Sequence, residues 1–185
     1  MLLKIGQPLD HGFDQPLGLL SDCHRRIEYF LGVMIAVLRE SSAGPLTGSQ
    51  QTQLEGALAY FATAAPRHTA DEEESLFPKL RRLNSPDANR VLDVLARLEH
   101  DHQDASDHHA AVDCLVRRWI DQQCLSLDDA GQLGHRLTDL RSLYERHIGI
   151  EDRELFPAAG RLLTTDELRA IGREMAARRS TPGWR

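Results

Sequence analysis

Residues His68 to Pro78 read HTADEEESLFP, and residues His147 to Pro157 read HIGIEDRELFP, the same frame of His, Glu four residues on, and Leu-Phe-Pro at an offset of 79. The match extends beyond the quoted blocks. The inward-facing series Leu54, Leu58, Phe61, Ala65, His68, Glu72 and Leu76 maps at that offset onto Leu133, Leu137, Leu140, Tyr144, His147, Glu151 and Leu155. Both series step by three and four, the period of one helix face turned toward a core. A self-similarity of this length marks a duplicated supersecondary unit.

The partners of these two helices carry a weaker copy of the same relation. Leu17, Leu20, His24, Ile27, Leu31, Met34 and Leu38 form one stripe over residues 15–41, and Leu95, Leu98, His102, Ala105, His109, Val112, Val116 and Trp119 form another over residues 86–121. An offset of 78 carries Leu17, Leu20, His24 and Met34 onto Leu95, Leu98, His102 and Val112. Ser49, Ser85, Ser126 and Thr165 stand where helix N-caps are expected, with Pro86 at a first turn and Asp129 completing a Ser-x-x-Asp start. Pro66 should kink the second helix. Two repeated helix hairpins pack as an all-α, antiparallel up-down four-helix bundle. The expected layout is an N-terminal arm over 1–14, the bundle over 15–161, and a short fifth helix with a polar tail over 162–185.

Composition agrees with this reading. The chain has 185 residues, 41% hydrophobic, 27% charged and only 5% aromatic, a size that buries one core without disulfide staples. Its net charge of -6 provides no basic surface for a phosphate backbone, so no nucleic-acid partner is expected. The longest apolar run, residues 30–38, is far short of the roughly 20 residues of a membrane span, and neither a membrane span nor a secretory signal is expected. A soluble cytoplasmic protein is expected. Cys23, Cys114 and Cys124 are an odd set without CxxC spacing, as suits reduced packing thiols.

Residues four apart share a helix face about 6 Å apart along the axis, so His68 with Glu72, and His147 with Glu151, each aim a nitrogen and a carboxylate at one spot. His24 and His102 add two imidazoles at the same level of an otherwise apolar core. Without a metal such a cluster would bury unpaired carboxylates at a cost of several kcal/mol, and a metal pair removes that cost. A lone histidine on such a face is more often a satisfied core residue, but matched placement in two halves points to a metal site. His100 lies off its stripe, whereas choosing His102 equalises the His-to-His distances of the halves at 44 and 45 residues. His11, His108 and His135 read as surface residues, the run Asp71 to Glu74 as solvated apart from Glu72, and Arg173, Arg178, Arg179 and Arg185 as a solvated terminus.

With its two HxxxE…LFP blocks, the chain over about residues 15–160 resembles the hemerythrin-like family, also called the histidine-histidine-glutamate cation-binding domain. The resemblance implies a non-haem di-iron centre, two iron ions with an oxo or hydroxo bridge, in which His24, His68, His102 and His147 are terminal ligands and Glu72 and Glu151 bridge. Other divalent metals suit the same donors. The family's oxygen carriers have two histidines one turn apart on the third helix; here Ser106 and Asp104 follow His102 and His100 by four residues. His109, two turns from His102, is either a fifth ligand or a donor to the ligands. The carriers end with Asp five residues after the last histidine, which is Asp152 here, but the repeat selects Glu151. Tyr144, whose counterpart is Ala65, either hydrogen-bonds a ligand at the metals or fills the space that Ala65 leaves.

Two six-coordinate irons offer roughly twelve positions, of which the six residues fill about eight and a solvent bridge about two, leaving roughly two open. The expected function is binding or reduction of a small oxidant, namely dioxygen, peroxide or nitric oxide. The alternatives are iron storage, delivery or sensing without turnover, or a structural zinc site. A sensor would need a separate protein partner, reached through the fifth helix or the N-terminal arm.

Overall fold

The computed structural model describes residues 10–83 and 86–180, and only the backbone of residues 86–90. The expected arm, the Ser85 cap and Arg185 therefore lie largely or wholly outside the described residues. Among these the chain is helical without strands. The elements are α1 (Pro16–Ser41), α2 (Gly48–Asp71), α3 (Phe77–Arg81), α4 (Pro86–Gln122), α5 (Leu127–Ile150), α6 (Phe156–Leu162) and α7 (Thr165–Ser180). The turns Glu72–Leu76 and Glu151–Leu155, which join α2 to α3 and α5 to α6, are π-helical, so each pair forms one long rod.

These rods make a four-helix bundle in which α1 packs on α2 and α5, and α4 packs on α5 and α2, with α7 lying as a fifth helix against α1 and α2. Both hairpin turns sit at one end. Ser42, Ala43 and Gln123 take left-handed backbone there, and Leu125 N–H donates to the Ala43 carbonyl at 2.9 Å. Trp119 Nε1 donates to the Gly44 carbonyl, also at 2.9 Å, tying the turns to the core. No helix among the described residues is long and apolar enough to cross a membrane.

Helix starts follow capping chemistry more closely than spacing alone had suggested. Thr47, not Ser49, caps α2, because Gln50 returns a hydrogen bond to its N–H and completes a capping box. Thr164, not Thr165, does the same for α7 with Glu167. Ser126 caps α5 as expected, accepting from Asp129 N–H at 3.0 Å. The helix runs unbroken through Pro66. The stripe on α1 is turned slightly at its ends: Leu19 and Val37 are buried, while Leu17 and Leu38 are half-buried.

The π-turns answer to Pro78 and Pro157. Proline has no N–H to give and its ring crowds the carbonyl four residues back, so the preceding turn widens. Phe77 N–H donates to the Glu72 carbonyl, and Phe156 N–H to that of Glu151, one residue beyond the α-helical partner. Two apolar clusters fill the bundle, one around Ile27, Met34, Trp119 and Leu137, the other around Leu20, Phe77, Leu98 and Ile171. The polar layer lies between them.

Candidate metal centre

His24, His68, Glu72, His102, His147 and Glu151 meet at one level of the bundle. Their ligating atoms form two overlapping groups, His24, His68, Glu72 and Glu151 in one, and Glu72, His102, His147 and Glu151 in the other, each within 4.8 Å. Both glutamates belong to both groups. They are fully buried, and the four histidines are nearly so. His24 Nε2 lies 3.0 Å from Glu151 Oε2, His147 Nε2 3.2 Å from the same oxygen, His102 Nε2 3.3 Å from Glu72 Oε2, and His68 Nε2 3.4 Å from Glu72 Oε1. These approaches do not have the angles of hydrogen bonds. All four glutamate oxygens, with His24 Nε2 and His102 Nε2, are buried without a hydrogen-bond partner.

The outer ring nitrogens are held differently. His24 Nδ1 donates to Asp152 Oδ1 at 3.0 Å, His102 Nδ1 to Glu73 Oε1 at 2.8 Å, and His147 Nδ1 to Asp101 Oδ2 at 3.4 Å. A carboxylate on one nitrogen leaves the other free to face inward as a lone pair. The Phe of each Leu-Phe-Pro block has a matching task. Phe156 stacks on His24 at 5.5 Å and Phe77 on His102 at 6.3 Å, so each half braces a histidine of the other.

Without a metal the layer is electrostatically frustrated. Burial would lower His24, but the carboxylates of Asp152 and Glu151 override it and push it up to about 10; His102, beside Glu72 and Glu73, likewise reaches about 10. Burial, then the positive charge of His24, holds His68 well below the imidazole range. Burial and the charge of Glu151 raise Glu72 to about 7, whereas His147 and His24 overcome burial to hold Glu151 low.

His100 points away, 76% exposed and 3.6 Å from Asp104. His109 belongs to neither four-residue group. It stacks on Phe61 at 4.1 Å and shares a 2.8 Å hydrogen bond with the Tyr144 hydroxyl. Tyr144 and His109 line a cavity of about 220 Å³ together with the four histidines of the cluster.

Several participants were not foreseen. Asp71 to Glu74 is not a solvated run: Glu73 holds His102, and Asp71 is fully buried. Arg178 donates to Asp71 Oδ1 at 2.7 Å, Glu74 at 3.1 Å and Ser75 Oγ at 2.6 Å, while Arg179 donates to Asp71 Oδ2 at 2.7 Å. These two arginines thus clamp the ligand-bearing turn instead of extending into solvent. His11 is half-buried, and its N–H and Nδ1 both donate to buried Asp22. Glu73 and Asp152 obey the 79-residue offset and were detectable by it; Asp101 has no acidic counterpart.

The family model of the hemerythrin HHE cation-binding domain matches residues 15–159. A protein of Haemophilus influenzae described as uncharacterized is 27% identical over 167 residues, covering 90% of this chain and 91% of its own length. With both HxxxE pairs aimed into one buried layer and a family model that spans most of its length, the chain belongs to the hemerythrin HHE cation-binding domain family.

Proposed function

We propose that this chain holds two iron ions between Glu72 and Glu151 and binds or reduces a small oxidant there, namely dioxygen, peroxide or nitric oxide. The observation that carries the reading is that both glutamates are shared by two four-residue groups while all four of their oxygens are buried and unpartnered. Imidazole and carboxylate donors fit iron, and fit zinc and other first-row ions as well. His24 and His68 would hold one ion, His102 and His147 the other, and the two glutamates would bridge them. When bound, the pair supplies Lewis acidity and electrons to a small ligand.

The protein's own part is positioning and exclusion. Asp152, Glu73 and Asp101 orient three of the rings. The cavity beside them has apolar walls from Ile27, Phe61, Ala105 and Leu143, which favours a small ligand and disfavours bulky or highly charged ones. Tyr144 keeps its proton, because burial and then the Glu72 charge raise it. Burial holds His109 near 4, so at neutral pH it is an uncharged partner for the phenol. The pair places a hydroxyl at the cavity wall, where it can meet a bound ligand.

Metal analysis of protein purified from its native host should give two irons per chain. Addition of nitric oxide or peroxide to that protein should change its visible absorption. Indifference to dioxygen, nitric oxide and peroxide would overturn the oxidant reading, and zinc in place of iron would favour a structural site.

A further inference from the structure

The offset of 78 makes Cys23 and Asp101 equivalent, each preceding a histidine of the cluster. The surroundings of the two metal positions then differ in one respect. On the His102 side both outer nitrogens rest on carboxylates, Glu73 at 2.8 Å and Asp101 at 3.4 Å. On the other side His24 has Asp152 at 3.0 Å, but His68 Nδ1 is buried with no hydrogen-bond partner, in a residue only 4% exposed. Cys23 stands where Asp101 stands in the other half. Glu73 and Asp152 are equivalent and cancel in the comparison, and the shared Glu72 and Glu151 cannot favour either side.

We infer, resting on the two-metal reading above, that the two positions are unequal: the His102–His147 position fills first and binds more tightly, the His24–His68 position holds its ion more weakly, and Asp101 against Cys23 sets the difference. A carboxylate on the outer N–H of a ligating imidazole raises the basicity of the inner nitrogen and fixes the ring, and losing one costs roughly 10–100-fold in metal affinity. His68 has neither benefit. When metal is scarce the chain would carry one ion, with the second in exchange.

The test titrates zinc into the metal-free full chain labelled with 15N at histidine, reading ring-nitrogen shifts, with affinities from competition against a chromophoric chelator. The first equivalent should shift His102 and His147, the second His24 and His68, with steps at least about tenfold apart. Asp101→Asn, which keeps the shape and removes the charge, should weaken the first step about tenfold without changing the circular dichroism. Asp101→Glu should restore it, and Cys23→Asp should strengthen the second step. Simultaneous shifts of all four rings, or steps unaffected by Asp101→Asn, would overturn the inequality. If Cys23→Asp fails to fold, the Asp101 pair decides alone. A chain that takes up no zinc overturns the two-metal reading itself, whereas two equal equivalents overturn only the difference between them.

Discussion

Glu72 and Glu151 each approach two histidines and belong to both groups of ligating atoms. Removing either should therefore weaken both metal positions at once, whereas His109 contacts Tyr144 and Phe61 and belongs to neither group. Glu72→Ala and Glu151→Ala are expected to lose most of the bound metal after dialysis, and His109→Ala to keep it. Equal loss in all three would make His109 a ligand. His102→Ala should lose metal and His100→Ala should not; the reverse would contradict the inward placement of His102. These six residues were legible because each lies on an apolar stripe and each has a counterpart in the other half. Asp101 was not, since its counterpart is Cys23 and nothing in the repeat marks it. Glu73 and Asp152 were marked by the 79-residue offset but set aside on phase: in a regular helix the residue after an inward one turns away, whereas the smaller rotation per residue of a π-turn lets successive acids serve one cluster.

The elements that carry the two glutamates are not supported equally. On the turn Glu72–Leu76 the fifth helix lays Arg178 and Arg179 across Asp71, Glu74 and Ser75, and Lys79 adds a 2.8 Å ion pair with Glu174. Asp71 is fully buried, so its charge is tolerable only while these guanidiniums face it. Arg178→Ala should lower the stability of the metal-free protein by about 1–3 kcal/mol, and the double change with Arg179→Ala by about 3–5 kcal/mol, because the carboxylate is then buried unpaired. Arg178→Lys should rescue little, since one ammonium cannot reach the three groups that the guanidinium serves. Urea unfolding of the chelated variants measures this, and a double variant as stable as the parent would show that the clamp is idle. The helix itself was expected from a threonine start, placed at Thr165, one residue past the true cap Thr164. Its docking was not, because two arginines near a chain end have the composition of a solvated terminus, and their partner lies more than a hundred residues away.

Across the whole molecule, two apolar clusters close on a layer of four imidazoles and two carboxylates, and the protonation of that layer couples metal to fold. In the metal-free protein His24 and His102 hold protons up to about pH 10, in answer to the carboxylates around them. In the unfolded chain they would lose them near the ordinary value of about 6.5. A group whose folded pKa is raised gives stability that is complete below its unfolded value and is lost as pH rises toward the folded one. The metal-free bundle should therefore weaken from about pH 7 to about pH 8.5, by up to about 1.4 kcal/mol per pH unit for each histidine, a window below the ordinary phenol range that meets the thiol range only at its upper end. Metal binding has the opposite sign. It displaces these protons and some of that on Glu72, which sits at about 7, so affinity should rise with pH while roughly two protons are released per chain near neutrality. Chelation should lower the melting temperature at every pH, by mass action, and the gap between loaded and chelated protein should widen as pH rises. Paired thermal melts with and without chelator at the two pH values, with calorimetry in buffers of different ionisation enthalpy, measure both effects. A gap that narrows from pH 7 to pH 8.5, or metal uptake without proton release, would show that the carboxylates do not hold protons on the imidazoles of this layer.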